Sequence, residues 1–239
     1  MEKLGNKSPR VLDGKFLVMI FQKPSTRTRV SFEVAVKQLG GNVMCLGWNE
    51  MQLSRGETIP DTARSLECYV DGIVARVTEH DHLLELAEYA NIPVINALSD
   101  VHHPCQALSD ILTIYKLRGS LEALKLAWIG DGNNVCNSLL LACSKFGINM
   151  SVACPPGHEP KEEAVKMAKM EAVKTGLKIE ITSEPLIAVR KADIIYTDTF
   201  ISMGREAERE KRLQTFLPKY QVTPKLFEYA NEGCVFMHC

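Results

Sequence analysis

The chain lacks any apolar run near the roughly 20 residues that a membrane-spanning helix needs. It also lacks a surplus of charge. Its 28 Lys and Arg against 29 Asp and Glu leave a formal net charge of −1, so no basic field exists for nucleic acid or an anionic membrane surface. Eight cysteines are present, but none are paired as CxxC, and their spacing does not suit zinc. Cys45, Cys143 and Cys234 sit inside apolar segments and read as buried, reduced thiols of a cytosolic protein. Repeats and low-complexity tracts are absent. The N-terminal MEKLGNKSPRVLDGK has neither the apolar core of a signal peptide nor the Arg/Ser-rich pattern of a transit peptide. That points to the cytoplasm, unless an organelle-targeting segment has been removed.

What is present is alternation. Strand-like apolar runs at 16–21, 42–46, 72–76, 93–96, 125–130, 148–153, 178–181, 193–196 and 234–237 are separated by helical periods at 29–39, 58–69, 80–90, 105–117, 136–146, 161–175, 184–190 and 224–230. This pattern predicts an α/β chain with parallel sheets flanked by helices. A boundary is expected within 105–124, giving a first domain over 1–108, a linking helix and loop over 109–123, and a second, Rossmann-like domain over 124–239. Ligands of open α/β sheets lie beyond the carboxyl ends of the strands. Two such domains are therefore expected to share an active site in the cleft between them. The segment 47–57 (GWNEMQLSRGE) has no clear period and reads as a functional loop.

Chemistry concentrates in a few clusters. Ser25-Thr26-Arg27-Thr28-Arg29 lies between a strand and a helix, where hydroxyls, guanidinium groups and helical N–H groups together make an anion site. An ordinary Ser/Thr cap with solvated arginines is the plain alternative. Gly130-Asp131-Gly132-Asn133-Asn134 is half of a dinucleotide fingerprint without its third glycine, so a tight strand-to-helix turn explains it equally well. His102-His103-Pro104-Cys105-Gln106 opens a helix, with Pro104 suited to the first turn. Arg76 ends a strand, Asp198 follows another, and Cys239 follows a third. A surface Arg, a helix cap and a small buried residue are the respective plain alternatives.

Taken together, FQKPSTRTRVSFE, RGETIPDTARSL, HHPCQALSD, GDGNN, DTFISMG and the final His238-Cys239 closely resemble, in order, the ornithine branch of the transcarbamoylase family. The Ser202-Met203-Gly204 loop and the His-Cys pair favour ornithine over aspartate as acceptor. The resemblance implies transfer of a carbamoyl group from carbamoyl phosphate to L-ornithine without metal or cofactor. Ser25, Thr26, Arg27 and Thr28 would bind the phosphate. Arg76, His103 and Thr28 would polarise the carbonyl oxygen, and Gln106 would hold the carbamoyl amide. Asn134 and Asp198 would bind the α-amino end of ornithine, with Ser202 and Met203 closing over it. Asp198 and Cys239 would flank the reacting amine. Gln52 corresponds to a residue that reaches a neighbouring subunit's carbamoyl phosphate, which implies a homotrimer or a multiple of trimers.

The family pattern also includes a further N-terminal helix and, beyond His-Cys, a Leu-Pro, an Arg and a C-terminal helix. This chain does not carry them. Their absence is expected to expose apolar surface and weaken closure. The alternative expectation is therefore a non-catalytic relative or partner subunit that binds carbamoyl phosphate.

Overall fold

A computed structural model describes residues 8–201 and 206–239. Contacts divide the chain into two units, Met1–His102 and His103–Cys239. The first contains β1 (Phe16–Phe21), α1 (Thr26–Gln38), β2 (Asn42–Gly47), 3-10 turns at Trp48–Glu50 and Gln52–Arg55, α2 (Ile59–Glu67), β3 (Gly72–Arg76), α3 (His80–Tyr89) and β4 (Val94–Leu98). Its sheet is wholly parallel, in the order β2-β1-β3-β4. Val18, Met19, Ile20, Ile73, Val74 and Ala75 are fully buried, as the unbroken apolar runs of a sheet covered on both faces require.

The second unit contains α4 (Pro104–Arg118), β5 (Lys125–Ile129), α5 (Asn134–Phe146), β6 (Asn149–Ala153), α6 (Glu162–Thr175), β7 (Ile179–Thr182), α7 (Pro185–Val189), β8 (Ile194–Thr197), a 3-10 turn at Glu206–Glu208, α8 (Arg209–Phe216), α9 (Pro224–Phe227) and β9 (Val235–His238). Its parallel sheet runs β7-β6-β5-β8-β9. The expected α/β class with two parallel sheets is found. Among the described residues no helix is long and apolar enough to cross a membrane.

Several boundaries move for physical reasons. α1 starts at Thr26 rather than 29, because Ser25 caps it, its hydroxyl accepting from the Thr28 N–H at 3.3 Å. The helix expected over 224–230 stops at Phe227. α8 was not anticipated: REKRLQTF is too polar to show an apolar face, yet it buries Arg212 and Phe216. The division at His102/His103 falls ahead of the expected link, because Ala107, Ile111 and Ile114 of α4 pack into the second unit's core with Leu139, Leu140 and Cys143 of α5. Of the cysteines singled out, Cys143 is fully buried, whereas Cys45 and Cys234 are half-buried.

One polar group in that core stands out. Asp110 of α4 is only 4% exposed. Gln106 Nε2 and the Tyr196 hydroxyl each donate to its carboxylate at 2.9 Å. Burial raises its pKa from an ordinary 3.8 to about 6, the two hydrogen bonds oppose the rise, and the Asp198 charge adds to it. A raised folded-state pKa means the stabilising contribution is complete below the unfolded value and lost as pH climbs through about 6. Asp110→Asn, which cannot titrate, should therefore gain on the native chain by up to about 3 kcal/mol between pH 4 and 7 in urea unfolding. A difference independent of pH would show that Asp110 titrates normally in the fold.

Candidate active site

In a parallel sheet, side chains converge where neighbouring strands feed helices in opposite directions. In the first unit that switch lies between β1 and β3. The turn after β1 carries Ser25, Thr26, Arg27 and Thr28, now seen as the cap and first turn of α1. Arg76 ends β3, and its Nη1 donates to Thr28 Oγ1 at 3.1 Å. Arg76 Nε is buried and makes no hydrogen bond within the structure. Burial, and then the neighbouring Arg27 charge, lower the Arg76 pKa. A guanidinium remains protonated nonetheless. Two crowded positive groups, an unpartnered buried donor and a helix N-terminus together form a receptor for an oxyanion.

The turns are braced from behind. Gln22 accepts from the Thr78 N–H at 2.7 Å through its side chain and donates its own N–H to the Arg76 carbonyl at 2.9 Å. This ties the β1–α1 turn to the end of β3. Gln52 lies apart from these contacts, exposed in the second 3-10 turn.

In the second unit the switch lies between β5 and β8. Asn133 caps α5 with its side-chain oxygen, accepting from Val135 N–H at 3.0 Å and Cys136 N–H at 3.1 Å. Its Nδ2 is thereby aimed at Asp198 Oδ2, 2.6 Å away, while Thr199 N–H donates to Asp198 Oδ1 at 2.6 Å. Asn134, the first residue of α5, turns its Oδ1 back to Val135 N–H at 3.0 Å. Asp198, His238 and Cys239 bring a carboxylate, an imidazole and a thiol within 4.8 Å of one another. Burial, and then the Asp198 charge and hydrogen bond, push the Cys239 thiol far up, so it stays a neutral S–H. An open cleft of ≈ 360 Å³ borders this group, lined by Thr197, Asp198, Phe200, Leu213, Val222 and His238.

His103 precedes α4, and its N–H donates to Ser138 Oγ of α5 at 2.7 Å. Gln106 sits in the first turn of the same helix. Ser202 and Met203 lie outside the described residues.

Sequence reasoning missed the group that holds the β5 and β8 turns together. Arg212 of α8, 2% exposed, pairs with Asp131 in a very short contact and donates Nε–H to the Phe200 carbonyl at 2.5 Å. His158 Nδ1 approaches Asp131 at 3.4 Å, and its ring meets Phe216 edge-on at 4.9 Å. Nothing local marks Arg212 among the charged residues around it. The glycine turn has a packing reason as well: a Cβ on Gly132 would stand 2.2 Å from Pro160 N. Asn133 did carry a signal, as an Asn directly before an apolar helix.

Comparisons with known proteins bear on the family and the fold. Residues 1–116 match the family model for the carbamoyl-P binding domain of aspartate/ornithine carbamoyltransferase, and residues 122–239 match its Asp/Orn binding domain. The chain is 52% identical over 237 residues to an ornithine carbamoyltransferase of Methanobrevibacter smithii, spanning 99% of this chain and 78% of that protein. It is 50% identical over 234 residues to that of Bacillus subtilis, spanning 98% and 73%. The solved ornithine carbamoyltransferase of Pyrococcus furiosus superimposes with a TM-score of 0.92 at 51% identity, over 98% of this chain and 74% of the other. With both halves matched in order and a shared fold at this level of identity, the chain belongs to the aspartate/ornithine carbamoyltransferase family.

Proposed function

We propose that the chain transfers the carbamoyl group of carbamoyl phosphate to the side-chain amine of ornithine, giving citrulline and phosphate in arginine synthesis. The observation that carries this reading is the pairing of an anion receptor at one switch point with an Asp-centred polar group at the other, in a chain about half identical to named ornithine carbamoyltransferases. One of those relatives, from Pyrococcus furiosus, is named as anabolic. In this reading the chain has a carbamoyl phosphate domain over 1–108, a link over 109–123 and an ornithine domain over 124–239.

The neutral amine attacks the carbonyl carbon, a tetrahedral intermediate forms, and the carbon–oxygen bond to phosphate breaks. Ser25, Thr26, Arg27 and Thr28 hold the phosphate through side chains and the N–H groups of α1. Arg76, His103 and Thr28 face the carbonyl oxygen, where negative charge develops. Gln106 takes the carbamoyl amide. Asn134 and Asp198 bind the amino-acid end of ornithine, with Ser202 and Met203 over it. Asp198 and the neutral Cys239 thiol flank the reacting amine. The amine must shed a proton to react, and departing phosphate is a chemically suitable acceptor. Positioning and electrostatics supply the acceleration without a covalent enzyme intermediate. Gln52 serves a neighbouring subunit's site in a homotrimer, or a multiple of trimers, located in the cytoplasm.

The direct test is citrulline formation by this chain from carbamoyl phosphate and ornithine, with putrescine and aspartate as competing acceptors. Turnover with ornithine alone is expected. Carbamoyl phosphate binding without turnover would instead favour a non-catalytic relative. Arg27→Ala should weaken carbamoyl phosphate binding by about 2 kcal/mol, through loss of a charge-assisted contact; unchanged affinity in calorimetry would remove Arg27 from the phosphate site. Asp198→Asn should raise the KM for ornithine at least tenfold more than that for carbamoyl phosphate, and equal losses would point to misfolding.

A further inference from the structure

The buried carboxylate of Asp110 has no part in the reaction described above, yet it touches a residue that does. It lies one helical turn after Gln106, and the two share a hydrogen bond from Gln106 Nε2 to Asp110 Oδ1 at 2.9 Å. Its other oxygen accepts from the Tyr196 hydroxyl at 2.9 Å. Tyr196 is fully buried on β8 and stacked on Trp128, with ring centroids 5.2 Å apart, so this donor cannot move away. Among the described residues no Lys, Arg or His forms an ion pair with Asp110. A buried carboxylate without a cation is costly, and an apolar residue would pack there at less expense.

What such a group supplies is direction. An ionised carboxylate only accepts hydrogen bonds, whereas a primary amide accepts at one end and donates at the other. Asp110 therefore holds the Gln106 amide with Nε2 turned inward and leaves Oε1 as the free acceptor. A carbamoyl group presents an NH₂ donor. An acyl phosphate, such as one bearing a methyl group in place of that NH₂, presents none.

We propose that Asp110 is a positioning and specificity-determining residue: by fixing the Gln106 amide with its oxygen toward the substrate, it makes the site select a carbamoyl phosphate over an acyl phosphate. This rests on the reading of Gln106 as the residue that receives the carbamoyl amide. The carboxylate stays ionised at working pH although burial raises its pKa to about 6. The hydrogen bonds from Tyr196 and Gln106 are what keep it that low.

The test compares two unreactive probes of equal charge, phosphonoacetamide and 2-oxopropylphosphonate, with inorganic phosphate as a third ligand, by calorimetry at pH 8. Equal charge matters because a change in the net charge at position 110 then cancels from the ratio. The native chain should bind the amide about tenfold more tightly than the ketone, the effect expected when one hydrogen bond is made rather than lost. In Asp110→Asn the Tyr196 hydroxyl holds Asn Oδ1, so Asn Nδ2 faces Gln106. The Gln106 amide then turns over and presents Nε2 outward. The preference should fall to within threefold of unity, with phosphate affinity unchanged. Tyr196→Phe keeps the carboxylate and should keep the preference, although it removes a buried hydrogen bond.

Retention of the native preference in Asp110→Asn would overturn the proposal. So would a common loss of affinity for all three ligands, which marks structural damage. Loss of the preference in Tyr196→Phe that does not return as the pH is raised would also overturn it, because disruption of the buried network, and not loss of the carboxylate's charge, would then suffice. A native chain that binds phosphate yet does not distinguish the probes would refute the role of Gln106 and this inference with it. A native chain that binds no phosphate would refute the functional reading itself.

Discussion

Parallel pairing is the constraint on which the rest depends. When every strand of a sheet runs the same way, every strand-to-helix turn emerges at one edge, and the helices that follow present their N–H groups there. In the first unit β1 and β3 deliver Ser25–Thr28 and Arg76 to adjacent places on that edge. In the second, β5 and β8 deliver Asn133 and Asp198 in the same way. Both groups stand at the switch point of their sheet, where the crossovers diverge and leave room for a ligand. A helix N-terminus suits the phosphate end of the chemistry, and a carboxylate at a strand end suits an amine.

Buried and half-buried polar groups then convert position into geometry. Arg212 joins Asp131, after β5, to the Phe200 carbonyl, after β8, and so spaces the two turns that carry Asn133 and Asp198. Gln22 spaces the β1 and β3 turns of the first unit. Asp110 does the same one level down, by orienting a single amide. Arg212 and Asp110 each carry a desolvation cost that an apolar residue would avoid. Each also has hydrogen-bond partners that leave it one arrangement. The stability given up at these positions is matched by the precision with which the exposed groups are held.

The fold was legible in good part. Apolar runs such as LVMIF and GIVA marked central strands buried on both faces, and the nine strand-like runs, several of them only partly apolar, correspond to the nine strands among the described residues. Helix ends were less legible. α1 begins three residues early because a serine hydroxyl, not an apolar period, starts it. α8 was invisible because its stabilising contacts come from one buried Arg and one Phe rather than from an apolar stripe. The candidate site clusters were legible as residue types at strand ends, and the family resemblance ordered them. Their supports were not: Arg212, Gln22 and Asp110 resemble any other polar residue in a charged or helical stretch.

The sequence by itself determined the class of fold, the order of its elements and the family, because hydrophobic periodicity and short motifs are local properties of the chain. Tertiary structure alone decided which polar side chains meet. Asp110 and Tyr196 lie 86 residues apart, and Arg212 and Asp131 lie 81 apart. Their pairing depends on which strands become neighbours and how their helices pack. No local pattern encodes that choice, because the free energy that selects it comes from burying whole faces of the sheet rather than from the paired residues themselves.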